Sequence, residues 1–236
     1  MTVLQREAIT DEILRLTLNR PETLNALNTE LLREIPAAFE EAEREGRQVV
    51  VVEGSGDAFC SGADLDEASE EGEDIDLIQE ITRAVRGFDG IVIGKLHGYA
   101  VGGGLEFSLS FDLRYAATGT VFKMPETELG VPISNASTKL LPLYVGLGVA
   151  QDLVYTSREM SAAEAERHGL VSGVYDPDEL EREVLDRARD LVENKSETVL
   201  GIHKRAFNHT FPIEEALEYE RLLNAENEAS GGELNW

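Results

Sequence analysis

Cysteine is nearly absent from this chain, since Cys60 is the only one among 236 residues. A single cysteine excludes an internal disulfide and leaves no cysteine cluster that could hold a metal. The histidines are scattered without the spacing of metal ligands on one helix face; they are His97, His168, His203 and His209. We therefore predict a protein that holds no metal.

Long apolar runs and targeting signals are missing as well. No apolar stretch approaches the roughly 20 residues that a membrane-spanning helix needs. The first six residues, Met1–Arg6, lack the basic-then-apolar pattern of a secretory signal. Hydrophobic residues still make up 42% of the chain, enough for the core of one large domain or of a domain with a small appendage. We expect a folded cytoplasmic protein that does not bind membranes.

Positive charge is scarce. The chain has 21 Lys and Arg residues against 46 Asp and Glu residues, which gives a formal net charge of −25. Such a field repels nucleic acid and anionic membranes, so neither is expected as a partner. Lysine stands only at positions 95, 123, 139, 195 and 204. Abundant acid with little lysine indicates adaptation to a high-salt cytoplasm, although an ordinary acidic soluble protein also fits this composition.

Strand signals are concentrated in the first half of the chain. Val3–Ile9 and Ile13–Leu18, separated by a short polar turn, favour a β-hairpin. Gln48–Val52 and Ile91–Leu96 are compact apolar runs typical of buried strands. Over residues 105–115 apolar residues alternate with mostly polar ones, and this period of two by itself predicts another strand.

Helix signals follow the hairpin and fill the C-terminal part. Asn28 is a suitable N-cap for a helix that ends near Glu45, and Pro36 is expected to kink that helix or shift its start. Further helices are predicted to begin at Ser161, Asp176, Ser196 and Phe211. This order predicts an α/β core over residues 1–175 and a helical region over residues 176–236.

Two glycine-containing loops could approach a ligand closely. The loop Glu53–Leu65 follows a buried strand, but it lacks the Lys-Ser/Thr ending of a phosphate-binding loop, and Ser61 lacks the flanking glycines of a nucleophile elbow. By itself it predicts a tight turn. In the segment His97–Glu106, three consecutive glycines follow an apolar strand and expose backbone amides, which favours an oxyanion site at a helix start. Glycine triplets also occur in plain turns.

Two glutamates near these loops are candidates for acid/base chemistry. Glu106 lies among apolar residues. Apolar surroundings disfavour the charged form of a carboxylate, so that it can exchange a proton near neutral pH, as a general acid or base must. A solvent-exposed glutamate, or one paired with Arg114, fits the same pattern. Glu126 follows Pro125, where the chain turns, and is ambiguous by itself.

Together these segments resemble the crotonase superfamily of enoyl-CoA hydratases and isomerases. The resemblance covers nearly the whole chain and lies in Asn19–Asn28, Phe59–Leu65, Gly98–Glu106, Pro125–Gly130 and Ser161–Val171. Phe59–Leu65 is similar to the family's oxyanion loop, and Gly98–Glu106 to its second diagnostic motif. Asn19–Asn28 is similar to the segment that grips the CoA chain.

The resemblance implies an α/β fold of the ClpP/crotonase type. Its core would be a spiral of ββα units over residues 1–175, followed by a helical oligomerisation region over residues 176–236. The residues after Gly103 would form a helix and the next strand would begin near Asp112, contrary to the alternation. A homotrimer, or a hexamer made of two trimers, is implied, with helices from Ser196 onward in the interface.

The resemblance also implies a set of site residues. The backbone N–H groups of Ala63 and Gly103 would form an oxyanion hole for the thioester carbonyl. Glu106 and Glu126 fall on the two catalytic glutamates of the hydratases. The substrate-binding residues would be Ala26, Ala63, Asp64, Leu65, Asp66 and Gly103. No cofactor is implied, because coenzyme A is part of the acyl-CoA substrate.

The implied activity is that of an enoyl-CoA hydratase of fatty acid metabolism. Glu106 would activate a water molecule that adds to the double bond of a 2-enoyl-CoA, and Glu126 would protonate the α-carbon. Two alternatives stay open: a 3-enoyl-CoA to 2-enoyl-CoA isomerase that uses Glu126, and a non-catalytic acyl-CoA-binding subunit. Hydratases usually have a glycine-rich stretch where this chain has Val131–Ser137 without glycine, and side chains there could crowd the water or reshape the acyl pocket.

Overall fold

The computed structural model describes residues 2–67 and 75–231 of the chain. Its strands, numbered along the chain, are β1 (Leu4–Ala8), β2 (Ile13–Leu18), β3 (Val49–Gly54), β4 (Ile91–Leu96), β5 (Tyr99–Val101), β6 (Leu113–Ala117), β7 (Val121–Lys123), β8 (Met160–Ser161) and β9 (Gly173–Tyr175). Its α-helices are α1 (Thr29–Arg44), α2 (Ile75–Gly87), α3 (Gly103–Leu109), α4 (Glu126–Leu129), α5 (Ser137–Val145), α6 (Leu147–Thr156), α7 (Ala162–His168), α8 (Pro177–Asn194), α9 (Glu197–Thr210) and α10 (Glu214–Ala229).

A six-stranded sheet in the order β1-β2-β3-β4-β6-β9 forms the centre of the fold. β1 and β2 pair as the predicted antiparallel hairpin, and the other neighbours in this sheet are parallel. A second sheet has the order β5-β7-β8. Helices connect the parallel strands and cover the sheet, as parallel sheets require. The predicted α/β class is confirmed.

The long valine run of β3 is explained by burial on both of its faces. Val50 and Val52 belong to the main core, together with side chains of α1, α2 and α3. Val49 and Val51 face the other way and pack in a second cluster with Val184 of α8. A strand covered on both faces is apolar at every position instead of at alternate ones. The proposed division at residue 175 stays a prediction, and α8 supplies the cover of one sheet face.

Local start and stop signals predicted the helices well. Asn28 caps α1, since its Oδ1 accepts a hydrogen bond from the Leu31 N–H at 3.1 Å. The helix begins directly after this cap and continues through Pro36, so the proline does not shift its start. The Oγ of Ser161 accepts from the Glu164 N–H and caps α7. α8, α9 and α10 begin within a few residues of the predicted positions.

The strand predicted from alternation over residues 105–115 is wrong, and the helix implied by the family resemblance is right. Residues 103–109 form α3, and the strand β6 begins at Leu113. The polar residues Ser108 and Ser110 are buried along with the apolar ones, because their hydroxyls bond to carbonyls of the same segment. The hydroxyl of Ser108 donates to the Leu105 carbonyl at 2.7 Å, and that of Ser110 donates to the Phe107 carbonyl at 2.6 Å. Alternation therefore did not separate an exposed face from a buried one.

Within the described ranges, no helix is both long enough and apolar enough to cross a membrane.

Candidate active site

Two backbone segments, residues 60–63 and 99–103, run side by side at the site. The Cys60 N–H donates to the Tyr99 carbonyl, and the Val101 N–H donates to the Cys60 carbonyl, both at 3.0 Å. Gly62 has φ +105° and Gly102 has φ +53°, so both turn the chain in a way that L side chains rarely allow. These turns bring the residues that follow them, Ala63 and Gly103, close together.

The backbone amides of Ala63 and Gly103 are neighbours. A Cβ built on Gly103 would lie 3.5 Å from the Ala63 nitrogen, and one built on Gly62 would lie 3.3 Å from the Gly103 nitrogen. Gly103 is the first residue of α3, where an N–H has no acceptor within the helix. Over residues 2–67 and 75–231, neither amide donates to a backbone carbonyl. Two fixed N–H donors in one place can stabilise a developing oxyanion.

Glu126 is buried beside these amides. It is the first residue of α4 and only 7% exposed. A Cβ built on Gly102 would lie 3.2 Å from its Oε1 atom, so the carboxylate faces the glycine strip that leads into α3. Glu126 is therefore a buried residue of the site, which its sequence context left ambiguous.

Glu106 is also buried, in the helix that follows the same strip, so the alternative of a solvent-exposed glutamate is wrong. It lies on the turn of α3 that follows Gly103 and is 2% exposed. Its Oε1 accepts from the Ser134 N–H at 2.6 Å, and its Oε2 accepts from the Ser134 hydroxyl at 2.8 Å and from the Asn135 side-chain amide at 3.3 Å. The hydrogen bonds of Arg114, considered from the sequence as its partner, go to the carbonyls of Ser108, Phe111 and Leu170.

Sequence reasoning missed the contribution of Ser134 and Asn135. The only signal was the absence of glycine from the stretch Val131–Ser137. Asn135 and Ala136 both adopt left-handed conformations, with φ of +58° and +61°. This is the backbone that a glycine-rich stretch would adopt, and asparagine is among the residues that tolerate it best. The stretch thus keeps a glycine-like path and adds side chains that reach Glu106.

A cavity of about 90 Å³ brings most of the predicted site residues together. Ala63, Leu65, Gly103, Glu106 and Glu126 line it. Apolar side chains cover much of the remaining wall, and they include Leu27, Ile75, Ile78, Leu129, Val131 and Pro132. Within the part of the chain that the structure describes, no three His, Cys, Asp or Glu side chains are grouped as a metal site would need.

Three of the predicted substrate-binding residues do not line this cavity. The guanidinium of Arg20 donates to the Ala26 carbonyl and to the Asp64 carboxylate, both at 2.7 Å. Arg20 therefore links Ala26 to Asp64, and neither residue lines the cavity. Asp66 is exposed on the surface. The roles of these three residues in substrate binding stay predictions.

Cys60 lies next to the site but is not equipped as a nucleophile. Its side chain is fully buried, and burial raises the pKa of the thiol to about 12. The thiol is therefore protonated at neutral pH, whereas the thiolate is the reactive form. Cys60 packs closely against Gly104: a Cβ at position 104 would lie 2.5 Å from the Cys60 carbonyl oxygen and 2.8 Å from its Sγ, so a side chain there would clash.

Comparison with known proteins gives consistent matches. A model of the enoyl-CoA hydratase/isomerase family matches residues 8–230. The short-chain-enoyl-CoA hydratase of Clostridium acetobutylicum is 33% identical over 213 residues, which cover 86% of this chain and 81% of that protein.

Solved structures agree in fold over almost the whole chain. An enoyl-CoA hydratase/isomerase from Pseudoalteromonas atlantica T6c superposes with a TM-score of 0.88 at 30% identity, covering 95% of this chain and 91% of that one. A monofunctional enoyl-CoA isomerase from M. smegmatis superposes with a TM-score of 0.79 at 25% identity, covering 92% of this chain and 99% of that one. These matches confirm the fold that the sequence resemblance implied.

Proposed function

This chain belongs to the enoyl-CoA hydratase/isomerase family, and we propose that within it the protein adds water across the double bond of a 2-enoyl-CoA thioester. The observation that carries the proposal is that two buried glutamates and two neighbouring backbone amides line one small cavity. An acid, a base and an oxyanion site are the groups that this hydration needs.

The amides of Ala63 and Gly103 act on the thioester carbonyl. When water attacks the β-carbon, the electron pair of the double bond moves toward the carbonyl and leaves an enolate oxygen. Two N–H donors that are already in place stabilise this charge better than they stabilise the neutral carbonyl. Each such donor is typically worth roughly 10²–10³ in rate.

The two glutamates divide the proton transfers. Glu106 lines the cavity and accepts three hydrogen bonds, which hold its carboxylate in one orientation. It therefore serves as the base that orients water and takes one of its protons as the C–O bond forms. Glu126 gives a proton to the α-carbon as the enolate collapses. Exchange with solvent then returns a proton to Glu126 and removes the one gained by Glu106.

The second candidate is an isomerase that moves the double bond of a 3-enoyl-CoA into the 2-position. It needs the same oxyanion site and one proton carrier, for which Glu126 is suited. The position of Glu126 supports this alternative, because its Oε1 atom lies against Gly102, directly before the oxyanion amide of Gly103. A non-catalytic acyl-CoA-binding subunit is the third candidate.

The proposal includes the setting in which the enzyme works. We propose a cytoplasmic enzyme with no cofactor beyond the CoA of its substrate, assembled as a trimer or a dimer of trimers. Exposed apolar side chains support assembly, and they cluster on the later helices. Examples are Leu147 and Tyr155 on α6 and Phe207 on α9, which are 62%, 68% and 63% exposed.

One assay separates the three candidates. Purified protein is incubated in molar KCl with a short 2-enoyl-CoA and, separately, with the corresponding 3-enoyl-CoA. A hydratase removes the absorbance of the conjugated thioester from the first substrate. An isomerase generates that absorbance from the second and leaves the first unchanged. If neither reaction occurs at any salt concentration, both enzymatic candidates are excluded and the non-catalytic acyl-CoA-binding subunit remains.

A further inference from the structure

Ser134 and Asn135 connect Glu106 to a buried hydrogen-bond network. The Asn135 amide nitrogen donates to Glu106, while its oxygen accepts from the Thr82 hydroxyl of α2 at 3.1 Å. Thr82 and Asn135 are fully buried. The orientation of the amide is fixed by chemistry, because a carboxylate can only accept and a hydroxyl can donate. The side-chain amide of Asn135, which is fixed by its hydrogen bond with Thr82, therefore holds Glu106 in place.

The loop that carries Ser134 and Asn135 is fixed from the other side by the C-terminal helix. Glu220 of α10 is 1% exposed, and its carboxylate accepts from the Ala136 N–H at 2.7 Å and from the Thr138 N–H at 2.9 Å. These contacts hold the loop at Asn135 and Ala136, two consecutive residues in the left-handed conformation, which is unfavourable for residues other than glycine. The loop geometry is thus imposed by distant elements.

We propose that Ser134 and Asn135 are positioning residues, which hold the Glu106 carboxylate in one orientation at the cavity so that it can orient the attacking water. This inference rests on the proposed hydratase function, because an isomerase that uses Glu126 alone would not need Glu106 in place. Ser134 also lines the cavity, beside the Glu106 carboxylate that its hydroxyl binds. A glycine-rich loop has no side chains, so it could not make the side-chain hydrogen bonds that Ser134 and Asn135 make to Glu106.

The test uses Ser134→Ala and Asn135→Gly in the full-length protein. Ser134→Ala removes the hydroxyl and keeps the backbone N–H that binds Glu106. Asn135→Gly removes the amide and suits a φ of +58°. Each substitution is expected to lower kcat by about 10-fold to 100-fold with little change in KM, because it removes a hydrogen bond to a charged group that acts in the transition state. Ala136→Gly is the matched control. It also replaces a left-handed residue and keeps the N–H that binds Glu220, so kcat should not change.

A double-mutant cycle distinguishes positioning from general destabilisation. If Ser134 acts through Glu106, Ser134→Ala should lower kcat in the wild-type background and have little further effect in Glu106→Gln. Unchanged kcat in the single variants, or independent losses that multiply in the double variant, would overturn the proposal. The same cycle followed by urea unfolding does not depend on turnover. If the wild type proves inactive, the hydratase function fails, and an absence of coupling between the two substitutions in urea would separately disprove the contact.

Discussion

The two glutamates at the cavity are both assigned a proton transfer, so the same substitution should impair hydration at either position. Glu106→Gln and Glu126→Gln are each expected to lower the kcat of hydration by roughly 10²–10⁴, because glutamine keeps the shape but cannot take up and return a proton. KM should change little, since neither carboxylate is expected to hold CoA. If the protein is an isomerase, only Glu126→Gln should abolish activity, as steady-state rates on 2-enoyl-CoA and 3-enoyl-CoA would show.

The control for this pair is Glu128→Gln, since Glu128 lies on the same helix as Glu126 but is exposed and paired with Lys123. It should leave kcat unchanged. Glu106→Gln should also lower the free energy of unfolding by about 1–3 kcal/mol, because its new NH₂ group would face the donors of Ser134 and Asn135. Full activity in both active-site variants would contradict the assigned roles.

Gly62 is the residue on which the oxyanion site should depend most sharply. In Gly62→Ala, the new Cβ would lie 3.0 Å from the Val101 carbonyl oxygen and 3.3 Å from the Gly103 nitrogen, at a φ of +105°. We expect the two amides to move apart and kcat to fall by roughly 10²-fold, the typical cost of losing one oxyanion donor. Gly119→Ala is the control, because Gly119 has φ +89° but no atom within 4 Å of its Cβ position. It should cost stability alone, which thermal unfolding measured beside kcat would reveal.

At the scale of elements, α10 acts as a support for the catalytic loop. Glu220→Ala would leave the N–H groups of Ala136 and Thr138 and the Thr138 hydroxyl without their buried acceptor. We expect a loss of about 2–4 kcal/mol in the free energy of unfolding, together with lower kcat, because the loop also carries Ser134. Urea unfolding would measure the loss. Glu218→Ala, an exposed change on the same helix, should have almost no effect on either quantity.

At the scale of the whole molecule, the net charge of −25 should make stability depend on salt. Glu40, Glu41 and Glu43 lie close together on α1 and repel one another, and screening relieves this repulsion as the Debye length falls from about 10 Å at 0.1 M salt to about 3 Å at 1 M. The thermal midpoint should therefore rise between low and molar KCl. A flat or falling midpoint would contradict the high-salt interpretation, and a neutral osmolyte serves as the control for exclusion effects. The second acidic cluster, Glu70, Glu71, Glu73 and Asp74, lies outside the described residues.

Assembly is the second expectation at this scale. Light scattering in molar KCl should give the mass of a trimer or hexamer, because isolated chains would leave large apolar side chains of the later helices in water. Phe207→Asp should shift the mass toward the monomer if α9 lies in the interface. Asn194→Asp adds the same charge at the end of α8 and should not change the mass. A monomeric wild type would contradict the prediction.

The sequence by itself determined the features that depend on local chemistry. Asn28 and Ser161 cap helices because a side-chain oxygen reaches an N–H three residues ahead. Short strand-forming segments separated by a polar turn predict the hairpin, and short apolar runs predict the buried strands. The positions of Glu106 and Glu126, and of the two glycine-containing loops, came from motifs in the family's order, and the structure places them around one cavity.

Only the tertiary structure decided the features that depend on contacts between distant residues. Residues 105–115 alternate like a strand, yet their first part is helical, because the surrounding core buries both polar and apolar side chains. The contacts of Glu106 with Ser134 and of Glu220 with Ala136 join residues 28 and 84 positions apart. No local pattern carries such contacts. They exist because a left-handed turn, a helix from the C-terminal region and a buried carboxylate meet in one place, and the free energy of each contact depends on the others being formed.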